Sequence, residues 1–264
     1  MNLIQIIFLI IVLIIAIIWY NRNHLIVRDI KYYLDLFGYK TASLINNNKL
    51  LVPNRRKNRI LLITYDDRSD APFVIIHNKN LQNYADKWGY EYKYYDQCIH
   101  NAYWCKMFIV LEELNSNKYD YVMWLDSDTI IKNPNINIDD IINNYLSDIF
   151  IGDHYELYAI GGFNSGVFII KNSEIGKQFL LDAIEIYNDN KQDCVNPNGK
   201  LNGIFSGICY EQSVMNILIY KKYSKYTTKL SDEFVRNSTK CYDDVFIMHN
   251  CGANNEDRIK CFTK

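Results

Sequence analysis

Tyr121-Val122-Met123-Trp124-Leu125-Asp126-Ser127-Asp128 is the stretch that decides the fold. Five apolar residues with no polar break read as a buried strand, and two acids stand where the strand ends. Residues i and i+2 of an extended chain share a face, so the spacing predicts that Asp126 and Asp128 converge on one cation. Paired carboxylates suit Mn²⁺ or Mg²⁺, which take hard oxygen ligands and usually share them with substrate phosphates. The competing reading is a plain turn with Asp at its favoured positions.

Working outward, strands and helices alternate from Arg59 onward, which predicts an α/β sheet with helices on its faces. Ile60 to Tyr65 is a second apolar run, closed by Asp66-Asp67. Val74, Leu81, Ala85 and Trp88 fall at helical spacing, and Gly89 suits the helix stop. Tyr90 to Tyr95, Asp148 to Gly152 and Gly166 to Ile170 read as strands. Met107, Val110, Leu111 and Leu114 form a helical stripe, and Ser173 with Glu174 opens another helix. Open α/β sheets bind ligands beyond the carboxyl ends of their strands. The polar residues there are Thr64 to Asp67, Asp126 to Asp128, Asp153 and His249. His249 closes the apolar run Val245 to Met248; its imidazole is either a third metal ligand or a structural residue at a strand end.

Leu3 to Tyr20 is apolar apart from Gln5, long enough to span a thin bilayer, and ends in an interfacial Trp19-Tyr20 pair. We expect residues 1–20 to be a single-pass transmembrane signal-anchor, 21–56 a stem and 57–264 the catalytic domain. Orientation is contested. Arg22, Arg28 and Lys31 after the span favour a cytosol-facing domain, whereas the sequon Asn237-Ser238-Thr239 favours an ER or Golgi lumen. Seven cysteines leave at least one thiol unpaired in a monomer, and no CxxC spacing points to a zinc ribbon. A net charge of -1 gives no broad pull on nucleic acid.

Several segments resemble the glycosyltransferases of the GMA12/MNN10 type (glycosyltransferase family 34). They are Asn83 to Tyr90, Trp104-Cys105-Lys106, Trp124 to Pro134, Asn164 to Ser173, Glu211-Gln212-Ser213, and His249 with Gly252. Trp88 stands where the family usually has His, and Lys171 where Arg is common. The resemblance implies a GT-A (Rossmann-like) fold, a UDP- or GDP-sugar donor, Mn²⁺ dependence, and transfer with retention of configuration to a glycan, lipid or protein acceptor.

On that basis Asp126, Asp128 and His249 are the expected metal ligands. Thr64 and Tyr65 are expected to line the nucleotide pocket. Lys106 is expected to contact phosphate or an acidic neighbour. The Asn164-Ser165-Gly166 turn is expected to let backbone approach the sugar. Glu211 is chemically able to be a nucleophile; by resemblance Gln212 lies nearer the sugar, which favours front-face attack. Asp153 is a candidate for positioning hydroxyls. The alternatives are a non-catalytic nucleotide-sugar or carbohydrate-binding protein on the same fold, and a phosphoryl-transfer enzyme. The latter lacks a GxxxxGK[ST] loop.

Overall fold

The computed structural model describes residues 57–153, 162–203 and 207–264. The expected anchor and stem lie outside these residues. Among the described residues, no helix is long and apolar enough to cross a membrane.

The apolar runs become a six-stranded sheet of order β2-β1-β3-β6-β5-β7. Its strands are β1 (Ile60–Tyr65), β2 (Glu91–Tyr95), β3 (Tyr121–Leu125), β5 (Ile149–Asp153), β6 (Phe163–Lys171) and β7 (Thr227–Leu230). β1 runs parallel to β2 and β3, and β6 lies antiparallel between β3 and β5. β1 and β3 read as continuous apolar runs because both faces of the sheet are covered. Leu61, Ile63, Val122 and Trp124 pack on one side, against α2 (Cys105–Asn115), α4 (Glu174–Cys194) and α5 (Glu211–Leu218). Ile60, Leu62, Met123 and Leu125 pack on the other, against α1 (Pro72–Trp88) and α3 (Ile138–Ile142).

The ends of these elements follow local chemistry. Pro72 starts α1, where a missing N–H costs nothing. Gly89 ends it at φ 72°, a left-handed conformation that glycine adopts without a side-chain clash. Ser173 caps α4 by accepting from the Gly176 N–H at 3.1 Å. Asn254 caps α6 (Asn255–Phe262) by accepting from the Asp257 N–H at 2.9 Å.

A second, three-stranded sheet, β4-β9-β8, decides what happens at the carboxyl edge of the first. It is built from β4 (Thr129–Ile131), β8 (Val235–Asn237) and β9 (Ile247–His249). β4 leaves β3 after three residues. β9 pairs antiparallel with it, setting His249 opposite Thr129, and β8 pairs parallel with β9, setting Asn237 opposite His249. The tail of the chain is thereby folded back onto the acidic segment in its middle.

Candidate metal and sugar-nucleotide site

Asp126-Ser127-Asp128 is not extended. The chain turns there, with the Thr129 N–H donating to the Asp126 carbonyl at 3.0 Å. The two carboxylates therefore converge through a turn rather than through the period of a strand. One ligand atom each from Asp126, Asp128 and His249 lie within 4.8 Å of one another.

Each member is held by named partners. The Asp126 N–H donates to Gly166 O at 2.8 Å, which ties the turn to the start of β6. Its carboxylate accepts from Trp124 Nε1 at 2.6 Å and meets Lys106 Nζ at 3.0 Å. Asp128 faces His249 Nε2 at 3.0 Å and Arg258 Nη2 at 2.9 Å. Burial alone would raise the Asp128 pKa, but His249, Arg258 and Lys106 together hold it well below the usual carboxylate range. Ser127 points the other way and donates to buried Asp66, which also accepts both arms of the Arg68 guanidinium at 2.8 and 2.6 Å. Burial opposes the charge on Asp66 as well, and these hydrogen bonds outweigh it, so its pKa is lowered.

The donor set fits a hard divalent cation. Ligands of one ion at about 2.1 Å stand roughly 3 Å apart when adjacent and about 4.2 Å apart when opposite. The 3.0 Å between His249 and Asp128 and the 4.8 Å limit of the cluster come within a small side-chain shift of this. Gly166 matters here for a reason that its sequence context did not give. A Cβ on it would lie 2.1 Å from His249 Cε1, so this glycine makes room for the imidazole.

Lys106 is buried and bridges two acids, with Nζ 3.0 Å from Asp126 and 3.0 Å from Glu211. Burial pushes its pKa down, but the two carboxylates more than reverse this, so the ammonium is retained. The acidic-neighbour reading of Lys106 is the one the geometry supports. Glu211 also accepts from Ser165 Oγ at 2.8 Å, while its Oε2 has no hydrogen-bond partner among the described residues. Gln212 is half-buried, and its Oε1 accepts from the Ser165 N–H at 3.1 Å. Asn164-Ser165-Gly166 is not a turn but the beginning of β6, where Asn164 Oδ1 accepts from the Gly166 N–H at 2.7 Å.

Two expected residues stand apart. Thr64 is fully buried, with Oγ1 on His77 Nε2 at 3.0 Å, so its side chain supports the β4 junction instead of lining a pocket. Asp153 pairs with Lys229 at 2.9 Å, and its backbone carbonyl accepts from Asn237 Nδ2. Tyr65 is half-buried at the end of β1.

Sequence reasoning missed four contributors. His77 lies on the buried stripe of α1 and donates from Nδ1 to Thr129 O at 2.7 Å. Its burial lowers its pKa to about 4. Arg258 lies 130 residues from Asp128, beyond any local signal. Asp66 sat in the segment marked for attention but with no role. Asn237 was read only as a sequon; it is 3% exposed with its amide engaged at both ends, so in the folded chain it is not an acceptor for a glycan.

Three cystines are present: Cys98–Cys105 pins the start of α2, Cys194–Cys209 links the end of α4 to the segment before α5, and Cys241–Cys261 ties α6 and hence Arg258 to the loop after β8. The seventh cysteine, Cys251, lies outside these three cystines.

Residues 56–156 match the galactosyl transferase GMA12/MNN10 family. No curated protein matches the chain. Among solved structures, the fold is similar to a glycosyltransferase involved in the glycosylation of the major capsid of PBCV-1, at 14% identity and TM-score 0.59, covering 78% of this chain and 98% of that one. The glycosyltransferase GlyE of Streptococcus pneumoniae TIGR4 aligns at 14% identity and TM-score 0.47, over 79% of this chain and 61% of its own. Residues 56–156, the stretch that holds both aspartates and Lys106, are thus similar to the GMA12/MNN10 family, and the α/β fold that carries them is similar to that of a glycosyltransferase.

Proposed function

We propose that the chain is a metal-dependent, retaining glycosyltransferase of GT-A type. In this reading it moves a hexosyl or pentosyl unit from a UDP- or GDP-sugar to a glycan or other acceptor. The observation that carries the reading is the cluster of Asp126, Asp128 and His249 within 4.8 Å, at the edge where β1, β3 and β5 end.

A divalent ion held by these three would neutralise the charge that develops on a departing nucleoside diphosphate. The chain's own residues prepare for that charge. Lys106 fixes Asp126 from behind, and Arg258 keeps a guanidinium against Asp128. Trp124 and Lys106 orient the Asp126 carboxylate, so little reorganisation is needed when substrate enters.

The site also bears on stereochemistry. Glu211 is 3% exposed and engaged by Lys106 and Ser165, which makes it a poor nucleophile. Gln212 is the more open of the two, and its amide is suited to a cationic sugar centre rather than to covalent attack. This supports front-face transfer.

For location, we propose a single-pass membrane protein anchored by Leu3 to Tyr20, with the catalytic domain in an oxidising lumen. Three cystines support the lumen, because such bonds persist where thiols are not kept reduced.

The test is a donor-hydrolysis panel on the purified full chain with Mn²⁺: UDP-galactose, UDP-glucose, UDP-xylose and GDP-mannose. We expect turnover of one donor, lost in excess EDTA and in Asp128→Ala. Hydrolysis that continues undiminished in EDTA would remove the metal from the mechanism. Donor binding without any turnover would favour a binding protein on this fold.

A further inference from the structure

The geometry points to Asn237 as the residue that sets which nitrogen of His249 faces the metal. The inference rests on the metal reading above and adds to it a residue from a separate strand. Asn237 ends β8 directly beside His249 in the parallel register of β8 and β9. Its two amide ends are distinguishable by their partners. Nδ2 meets the backbone carbonyl of Asp153, which only accepts, so that end must be the NH₂. Oδ1 then faces His249 Nδ1 at 2.7 Å, and an amide oxygen only accepts, so Nδ1 carries the proton. In a neutral imidazole this leaves the lone pair on Nε2, which lies 3.0 Å from Asp128 Oδ1. Two acceptors at that distance need a positive charge between them, a proton in the metal-free chain and a metal ion when one is bound. The hydrogen-bond chain from Asp153 through Asn237 to His249 therefore presets a nitrogen lone pair and a carboxylate for one cation.

The ring has no freedom to present its other edge. His249 is 3% exposed, and the bare Cα of Gly166 packs against it where any Cβ would overlap the ring. Asn237 is itself 3% exposed, so water does not compete for its amide. Partners of this kind, which orient a metal-binding histidine, typically change metal affinity by 10–100-fold when removed. Asn237 is a positioning residue in this scheme and touches neither donor nor acceptor.

The experiment measures Mn²⁺ affinity of the full chain by electron paramagnetic resonance, without donor and without turnover, beside thermal stability. Asn237→Leu removes the acceptor at similar volume, and Asn237→Asp keeps one. We expect Asn237→Leu to bind Mn²⁺ at least tenfold more weakly and Asn237→Asp to recover most of that loss. A purely structural role would lower stability and leave affinity alone, and that result overturns the proposal. Asp128→Ala is run in parallel. If it keeps wild-type affinity, the metal site and this proposal fall together. If it loses affinity while Asn237→Leu does not, the metal site stands and only the role of Asn237 is lost. Should Asn237→Leu fail to fold, nitrogen NMR of the histidine-labelled wild type loaded with Cd²⁺ decides. Coupling of the metal to Nε2 of His249 supports the proposal, and coupling to Nδ1 overturns it.

Discussion

Replacing Lys106 by Met tests whether the centre of the site is held by charge. Its ammonium lies 3.0 Å from a carboxylate oxygen of Asp126 and 3.0 Å from one of Glu211. At an effective dielectric constant near 20, each contact is worth about 5 kcal/mol of attraction before desolvation is counted. The variant does not lose the sum, because the cost of burying the ammonium disappears with it. What remains is Glu211, whose side chain is 3% exposed, left without a countercharge. Asp126 at 29% reaches water and adds little. Breaking a buried pair from one side costs about 3–5 kcal/mol. For a domain of this size that is a fall in Tm of roughly 10 °C. The assay is thermal unfolding by circular dichroism in EDTA, so that metal binding does not add to either protein. Adding Glu211→Gln to Lys106→Met removes the stranded charge and should restore at least half of the loss. A single variant within about 1 kcal/mol of wild type would refute the reasoning, since surface-like pairs give no more than that. So would a double variant no more stable than the single one.

Two further outcomes follow from the same junction. His77 is fully buried and neutral, with its pKa lowered from 6.5 to about 4. The unfolded chain then binds the extra proton first, so the contribution is complete above pH 6.5 and is lost as pH falls toward 4; the total is about 3 kcal/mol. Denaturant titrations across that window should show the slope in wild type and a flatter one in His77→Leu, and equal slopes would contradict the assignment. Gly166→Ala would put a Cβ 2.1 Å from His249 Cε1, so it should weaken Mn²⁺ binding at least tenfold in a calorimetric titration. Unchanged affinity would mean that the ring is not needed at its present place.

The large sheet was legible because its strands are buried on both faces. Ile60 to Tyr65 and Tyr121 to Leu125 are continuous apolar runs, too short for a typical buried helix and each followed by acidic residues. Their carboxyl ends could therefore be listed, and His249 could be added because it too closes an apolar run. The convergence of Asp126 and Asp128 was expected for the wrong local reason: the chain turns instead of extending, and the turn is fixed by Ser127 on Asp66 and by Thr129 on Asp126. Partners set by distant pairing left no local mark. Arg258 reaches Asp128 through a helix tied down by Cys241–Cys261, and a cystine's connectivity is not written in cysteine spacing. Asn237 carried a signal that pointed elsewhere, since Asn-Ser-Thr reads as a surface acceptor until its burial is known.

The site is best understood as a joint between two sheets of unequal strength. The large sheet supplies Asp126 directly, through a backbone bond to Gly166 O, and would keep it in place whatever the tail did. His249 and its orienting Asn237 belong to the small sheet, whose three strands have three residues each. Strands so short make few hydrogen bonds of their own. Their stability has to come from side chains beneath them, and Val235, Phe246 and Ile247 pack into the core on the α1 face of the large sheet. Asp128 lies between the two bodies, bonded on one side through His249 to the small sheet and on the other to Arg258 of α6. Loosening the tail should therefore separate the ligands without unfolding the main core. A loss of metal affinity that precedes the loss of secondary structure would be the physical signature of that arrangement.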